Sequence, residues 1–164
     1  MKSEESLNHE SLLRNFYEAF ARGDADAMAA SYHDQASFSD PVFPGLDAPQ
    51  VRAMWKMLTS QATDLKLEFS QITADEQGGS AHWDAYYTFS VSGNMVHNSI
   101  DATFEFRDGL IYRHVDTFGF WRWSKQALGV PGLLMGWSPM LRGVVRKQAA
   151  KSLAKWQAKE AAAQ

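Results

Sequence analysis

Three side chains have the types and positions needed for acid–base chemistry: Asp40, His114 and Asp116. If Asp40 faces aromatic residues such as Phe38, Trp55 and Phe118, the carboxylate loses hydration, which raises its pKa and its basicity. A well-placed general base accelerates a reaction by roughly 10²–10⁴-fold. The alternative is a structural role, because an aspartate before a proline often binds the backbone of its own turn.

His114 and Asp116 are two residues apart in a predicted strand, so both side chains lie on the same face of the sheet. A neighbouring carboxylate fixes the tautomer of an imidazole and stabilises its charged form. The pair could therefore orient a substrate or shuttle a proton. Alternatively, the two groups only satisfy each other inside an aromatic core. We expect all three residues to face one cavity if they are catalytic.

These residues depend on helices and strands that the apolar pattern predicts. Helical spacing predicts three helices, at 6–21, 25–32 and 50–61, with Asp24 as the cap of the second. A brief strand is predicted at 36–39, followed by a proline-rich loop that extends to Pro49. Alternating apolar residues then predict four longer strands, at 65–70, 81–92, 95–107 and 110–120.

Turn sequences join the four longer strands into an antiparallel meander. The predicted turns are Gln77 to Ser80, Gly93-Asn94 and Asp108-Gly109. We therefore predict an α+β domain in which the helices gather on one face of a curved sheet. Each strand has an aromatic-rich face; that of the last strand is expected to hold Tyr112, His114, Asp116, Phe118 and Phe120.

The composition excludes several classes of function. The chain has 164 residues, enough for about one domain, and its hydrophobic fraction of 45% is typical of globular proteins. It contains no cysteine, so disulfides and zinc–thiolate sites are excluded. The five histidines lack metal-site spacing and the glycines lack phosphate-loop spacing, so we expect no metal and no cofactor. We find no signal peptide and no membrane span, and expect a cytoplasmic protein.

The charge is divided unevenly along the chain. Residues 1–120 hold 8 Lys and Arg against 18 Asp and Glu (−10), whereas residues 121–164 hold 8 against 1 (+7). We expect a domain at 1–128 and a basic helical extension at 129–164, with a last helix from about Pro139 to Ala161. That helix has three interpretations: it folds back on the domain, it pairs with a partner subunit, or it lies on an anionic membrane with Trp137 and Trp156 at the interface. No nucleic-acid partner is expected.

Two segments carry a family resemblance: LLRNFYEAFARGDADAMAASYHDQASFSDPVFPG and YRHVDTFGFWRWSKQALG. Together they resemble the NTF2-like superfamily, and more narrowly its SnoaL-like and ketosteroid isomerase-like group. The resemblance covers about residues 7–128 and implies a cone-shaped α+β barrel with a pocket, usually dimeric through the sheet.

The resemblance also assigns site positions. The general base of ketosteroid isomerases falls on Asp40, but their two oxyanion-hole positions fall on Phe16 and Ala102, which cannot donate a proton to an enolate. Tyr32 and Tyr87 are candidate substitutes for the missing donor. The apolar wall of the pocket is expected to include Phe38, Trp55, Trp83, Phe104 and Phe118.

The sequence therefore supports two functional hypotheses. The first is a pocket protein for a small apolar or aromatic molecule, which as an enzyme would catalyse cofactor-free isomerisation, cyclisation, dehydration or epoxide hydrolysis. Asp40 would be its base, and the pair His114 and Asp116 would orient substrate or transfer a proton. The second is a non-catalytic binding or interaction module, membrane-associated through its basic tail.

Overall fold

The computed structural model describes residues 1–164. Six helices are present: α1 (Glu4–Ala21), α2 (Ala25–Ala30), α3 (Ala48–Gln61), α4 (Phe120–Leu128), α5 (Val130–Met135) and α6 (Pro139–Ala162). Six strands form one sheet: β1 (Tyr32–Ser39), β2 (Leu46–Asp47), β3 (Lys66–Ala74), β4 (Gly78–Thr88), β5 (Met95–Arg107) and β6 (Leu110–Thr117). The predicted α+β cone with a C-terminal helix is confirmed.

The sheet is mixed, with the strand order β2-β1-β6-β5-β4-β3. β3 to β6 form the expected antiparallel meander, and β1, whose pairing the sequence does not predict, joins β6 in parallel. α1 packs on β3 and β4, and α3 packs on β1. This arrangement places Asp40, which directly follows β1, beside the end of β6.

Local hydrogen bonds explain where several elements begin. Asp24 caps α2 through the N–H of Ala27, as predicted. Asp47 and Gln50 form a reciprocal capping box at the start of α3, so this helix begins at Ala48, two residues earlier than expected. The predicted second helix was too long and the first strand too short, because α2 ends at Ala30 and β1 starts at Tyr32.

The turn before β4 also differs from the prediction. Gly78 and Gly79 are strand residues paired with β5, and the turn lies at Asp75 to Gln77, where the Asp75 carboxylate accepts the N–H groups of Gln77 and Gly78. A Cβ atom on Gly79 would lie 2.9 Å from the carbonyl oxygen of Thr73 and 3.1 Å from Leu13. Glycine is therefore needed here for close packing against α1, and not for a turn.

The strand β6 is shorter and less regular than its alternating sequence suggests. It ends at Thr117, and Phe120 begins α4, so Phe118 and Phe120 do not continue its inner face. The register with β5 shifts between Glu105 and Phe106, which leaves Tyr112 in β6 without a partner in β5. The ring of Tyr112 instead contacts the guanidinium of Arg107 and the imidazole of His33. Only His114 and Asp116 keep the predicted shared face, and both are buried.

Two apolar clusters fill the molecule. The larger one contains 26 buried residues from α1, α3 and the inner face of the sheet. The smaller one lies under α4 and consists of Val96, Phe120, Trp123 and Ala127. The partly buried side chains of Val42, Tyr87 and Phe118 contact both clusters. They mark the boundary between the cone and the helices that follow it.

The last helix folds back on the cone. α6 packs along α3, and Leu153 is part of the larger cluster with only 2% of its surface exposed. The guanidinium of Arg146 donates through Nε to the carbonyl oxygen of Pro41 at 2.8 Å, which ties α6 to the loop after Asp40. None of the helices combines the length and the apolar character needed to cross a bilayer.

We predict that Leu153→Ala lowers the free energy of unfolding by about 2–4 kcal/mol, because the change opens a cavity between α6 and α3. Urea denaturation followed by circular dichroism measures this value. Leu134→Ala is the matched control: Leu134 is 64% exposed, so its truncation should cost less than about 0.5 kcal/mol. Equal losses for the two variants would show that α6 does not dock as described.

Candidate active site

Asp40 lies immediately after β1 and organises the loop that follows. Its Oδ1 atom accepts the N–H groups of Val42 at 2.7 Å and Phe43 at 2.6 Å, and its own N–H donates to the carbonyl oxygen of Phe43. The structural role considered for this residue is therefore present. Its second oxygen, Oδ2, makes no hydrogen bond within the protein, so the carboxylate can hold the loop and still accept a proton.

The surroundings of Asp40 make it a stronger base than a free aspartate. Burial raises the pKa of this carboxyl group from 3.8 to about 6, the hydrogen bond from the Phe43 N–H opposes that rise, and the negative charge of Asp116 adds to it. The electrostatic effect of His114 acts in the opposite direction and lowers the pKa of Asp40. All three predicted catalytic residues therefore act on one another, although Asp40 shares no hydrogen bond with the other two.

His114 lies in a chain of four buried polar side chains. The indole Nε1 of Trp55 donates to the hydroxyl oxygen of Tyr32 at 2.9 Å. The Tyr32 hydroxyl lies 2.8 Å from Nδ1 of His114, and Nε2 of His114 lies 2.8 Å from Oδ1 of Asp116. An indole N–H can only donate, so the Tyr32 oxygen accepts the hydrogen bond from Trp55, and the contacts of His114 extend the chain to the Asp116 carboxylate. Both ring nitrogens of His114 are therefore engaged within the protein.

Aromatic rings surround this chain on several sides. Phe38 and Phe104 lie directly opposite His114 in the register of β1 and β5, with ring centroids 4.9 Å and 4.4 Å from the imidazole. Phe16 and Trp55 also contact it, and Ala102 pairs with Asp116. These predicted ligand-binding residues therefore form the shell of the His114 network.

This arrangement limits what individual groups can do. Both nitrogens of His114 are bonded within the protein, and the hydroxyl of Tyr32 is already engaged with both the imidazole and the indole of Trp55. Tyr32 therefore does not offer the free donor that the sequence suggested. Asp116 keeps one oxygen, Oδ2, without a hydrogen bond inside the protein. Asp116 is thus a carboxylate that the hydrogen bond with His114 holds in place.

Two buried donors close to this network have no partner. The hydroxyl of Tyr17 and the indole Nε1 of Trp83 are unpaired, and the two rings are neighbours with centroids 6.3 Å apart. Burial, followed by the negative charge of Asp116, raises the pKa of Tyr17 well above its ordinary value. Buried polar atoms without partners are uncommon and call for an explanation such as a ligand. The sequence pattern missed Tyr17, because it counts a tyrosine in α1 as one more apolar residue.

Tyr87 connects the candidate site to α4. Its hydroxyl oxygen accepts the indole N–H of Trp123 at 2.9 Å, and its own proton has no acceptor within the protein. Burial raises the pKa of Tyr87, and the charge of Asp40 adds to the rise, so the phenol and this carboxylate lie near each other. Of the two tyrosines suggested as donors, Tyr87 is the one with an unengaged proton.

A second titratable cluster lies on the opposite, outer face of the sheet. His82 contacts the carboxylates of Asp101 at 2.7 Å and Asp84 at 3.2 Å, and His97 contacts Asp84 at 2.8 Å. The hydrogen bond to Asp101 raises the pKa of His82. His82 and Asp84 alternate along β4 with the buried Trp83, so this cluster lies on the other face from that ring. No group of three or more such residues has the arrangement of a metal site.

A cavity of about 300 Å³ lies outside the cone, between α6 and the segment 42–50. Val42, Phe43, Arg146 and Leu153 are among its lining residues. It is close to Asp40 along the chain, but none of the three candidate catalytic side chains lines it. We therefore do not assign it to the candidate site.

Comparison with protein families gives one match. The model of the SnoaL-like domain matches residues 13–114. This range includes Asp40 and ends at His114. No curated protein matches the sequence.

Comparison with solved structures gives many matches at low identity. A proposed polyketide cyclase of Xanthomonas campestris is 21% identical, with a TM-score of 0.64; the match covers 76% of this chain and 99% of that protein. An LEH-like epoxide hydrolase of M. tuberculosis is 19% identical, with a TM-score of 0.61, covering 79% and 97%. A proposed SnoaL-like polyketide cyclase of Jannaschia is 11% identical, with a TM-score of 0.68, covering 80% and 98%. These similarities establish the fold.

We predict that Tyr32→Phe lowers the free energy of unfolding by about 2–4 kcal/mol, because it leaves the Trp55 N–H and Nδ1 of His114 buried without partners. Chemical denaturation at pH 7 measures the loss. Tyr112→Phe is the matched control and should cost less than about 0.5 kcal/mol, since the Tyr112 hydroxyl makes no hydrogen bond in the protein. A loss for Tyr32→Phe as small as that of the control would contradict the hydrogen-bond chain.

Proposed function

The chain belongs to the SnoaL-like domain family, and on that premise we propose that it binds a small, largely apolar or aromatic molecule inside the cone and transforms it by acid–base chemistry without a cofactor. The names of its structural neighbours, which include polyketide cyclases and an epoxide hydrolase, support this class of reaction. Isomerisation, cyclisation, dehydration and epoxide hydrolysis all need a base that removes a proton from carbon or water.

The observation that carries the proposal is the meeting of a base and unpaired donors in one interior. Asp40 has an oxygen without a hydrogen bond and a pKa of about 6, so at pH 7 its carboxyl group is mostly in the ionised form. Tyr17 and Trp83 hold unpaired protons, and both Asp40 and Tyr17 sense the charge of Asp116. Removal of a proton next to a carbonyl group requires a base together with hydrogen-bond donors for the oxygen that becomes negative.

We assign the following roles. Asp40 removes the proton through Oδ2, while Oδ1 holds the loop. Tyr17 and Trp83 donate to the substrate oxygen on which negative charge develops, in place of the donors missing at Phe16 and Ala102. His114 fixes Asp116 by its hydrogen bond; burial raises the pKa of Asp40, and the charge of Asp116 adds to that rise. His114 is thus a positioning residue.

The substrate would contact a mainly aromatic surface. Phe38, Trp55, Trp83 and Phe104 are buried, and Tyr87 and Phe118 lie at the boundary near α4. Such a wall favours planar or otherwise apolar molecules, with the polar end of the ligand directed to the few unpaired groups. Residues 1–128 would form this unit, with 129–164 as its extension and with dimerisation through the sheet.

A specific observation favours a second candidate function, a non-catalytic binding module. Both His114 nitrogens are bonded within the protein and its ring is enclosed by aromatic side chains, as in a structural core. In that case Asp40 only holds its loop. The two functions differ in whether Asp40 exchanges protons with a bound molecule.

We predict that the protein exchanges the α-protons of 2-indanone for deuterium, and that Asp40→Asn slows this exchange by about 10²–10⁴-fold. 2-Indanone is a small aromatic ketone, so exchange reports base action whatever the later reaction. Because the base must be ionised, the wild-type rate should fall as the pH decreases through about 6. Proton NMR in deuterated buffer measures the rate, with Asp108→Asn, at an exposed turn, as the control.

The pH dependence of the stability of Asp40→Asn tests the raised pKa of Asp40 independently of catalysis. The folded state raises the pKa of Asp40 from 3.8 to about 6, so this group favours folding below pH 4 and loses that contribution as the pH rises through 6. The free energy of unfolding of the variant should equal that of the wild type below pH 4 and exceed it above pH 6 by about 1–2 kcal/mol, discounted for partial exposure.

The exchange experiment also distinguishes the two candidate functions. If 2-indanone binds to the wild type but its α-protons do not exchange, the non-catalytic module is favoured.

We predict that Tyr17→Phe raises the free energy of unfolding by about 1 kcal/mol, because it removes a buried hydroxyl that has no partner. The same change should slow exchange of 2-indanone by about 10-fold or more, since the developing oxyanion loses a donor. Denaturation and NMR measure the two effects on the same samples. A destabilised variant with an unchanged exchange rate would show that the hydroxyl has a structural partner and no role in binding.

A further inference from the structure

The elbow formed by α4, α5 and the start of α6 exposes an unusually apolar surface. Six large side chains on it are between 38% and 70% exposed: Trp121, Leu133, Leu134, Met135, Trp137 and Met140. We call these six residues the elbow patch. Contiguous exposed patches of this kind mark interaction surfaces, because isolated soluble domains seldom leave so many large apolar groups in water.

The polar groups of the elbow are satisfied internally. The indole N–H of Trp121 donates to the carbonyl oxygen of Leu133 at 3.1 Å, and that of Trp137 donates to Leu134 at 2.8 Å. The hydroxyls of Ser124 and Ser138 also donate to backbone carbonyls of the elbow. Both exposed indoles can therefore enter an apolar medium without leaving an N–H group unpaired, which is the main cost of such a transfer.

Close packing holds the elbow in one shape. α5 lies against α4 at Gly132, where a Cβ atom would be 1.8 Å from the carbonyl oxygen of Ser124. A Cβ atom on Gly136 would likewise clash with the hydroxyl oxygen of Ser124. Close packing of α5 on α4 therefore holds this part of the elbow patch in a fixed shape, and docking does not require the segment to fold first.

The segment that contains the elbow patch carries charged side chains of one sign. Between residues 117 and 159 the chain contains eight lysines and arginines and no aspartate or glutamate. Lys125 lies 5.1 Å from the ring of Trp121, which belongs to the patch, and Arg142 lies 5.3 Å from the ring of Phe120, the residue before Trp121 in α4. An apolar centre with a rim of cations complements a surface with an apolar interior and anionic head groups.

From these observations we propose that the elbow patch docks the protein on the surface of an anionic phospholipid bilayer. Leu133, Leu134 and Trp137 enter the interface, and Lys125 and Arg142 contact the lipid phosphates. The contact involves the elbow and not the apolar stripe of α6, because Leu153 and Trp156 of that stripe pack on the cone. The proposal is independent of the reaction assigned to Asp40.

A second copy of the chain is a poorer occupant of the same surface. A two-fold symmetric contact would place the elbow of one subunit on the elbow of the other. The cations of both copies would then face each other with no carboxylate between residues 117 and 159 to pair with them. Anionic lipids remove that repulsion, whereas a second elbow adds to it.

The test is co-sedimentation of the full chain with vesicles. We predict binding to vesicles of phosphatidylglycerol and phosphatidylcholine at least about 10-fold stronger than to phosphatidylcholine alone, and weaker at high salt. The double variant Leu134→Ser/Trp137→Ser should reduce the partition coefficient by at least about 10-fold. The pair Lys125→Gln/Arg142→Gln should remove most of the preference for phosphatidylglycerol.

Leu7→Ser is the matched control, because Leu7 is 51% exposed on α1, which packs on β3 and β4, and its change should leave binding unaltered. Thermal unfolding verifies that each variant folds. Binding that survives Leu134→Ser/Trp137→Ser, or no binding of the wild type to either vesicle, would overturn the proposal. So would self-association without lipid, seen by sedimentation velocity and abolished by that double variant, since the patch would then be a contact between protein chains.

Discussion

The candidate site depends on one buried hydrogen-bond chain, from Trp55 through Tyr32 and His114 to Asp116. It joins α3, β1 and β6, which come from distant parts of the sequence, and each donor in it has one acceptor. A buried carboxylate is costly unless it is hydrogen-bonded, so this chain is what allows a charge to exist in the aromatic interior. The same chain leaves the imidazole without a free nitrogen.

The buried charge of Asp116 has consequences for its neighbours. It raises the pKa of Asp40, together with the larger effect of burial, and it also raises the pKa of Tyr17. A base that is kept partly protonated near pH 6 and a phenol that holds its proton are the properties of a proton acceptor and a hydrogen-bond donor. The unfavourable electrostatics of this interior and its proposed chemistry therefore have a common origin.

The sequence predicts the parts of this arrangement that follow from local periodicity. The alternation in β6 places His114 and Asp116 on one face, and the Asp108-Gly109 turn fixes the pairing of β5 with β6. It cannot predict the parallel pairing of β1 with β6, which depends on contacts between distant residues. The bulge at Tyr112 is not visible in an alternating pattern, and Tyr32 was assigned to a helix, so its bond to His114 was missed. The helical pattern of α1 also does not show that the Tyr17 hydroxyl is buried without a partner, because this depends on the packing of the whole domain.

The helix α4 relates the candidate site to the elbow patch. Trp123 turns inward and donates to Tyr87 near Asp40, whereas Trp121, two residues earlier, turns outward and donates to the backbone of α5. Both indoles are fixed by hydrogen bonds, so the boundary of the cone and the elbow are held together as one structure. A protein docked through the elbow would keep its aromatic interior close to the lipid phase, in which apolar molecules concentrate. Surface docking and acid–base chemistry on an apolar molecule are thus compatible in one chain, because the same helix positions both.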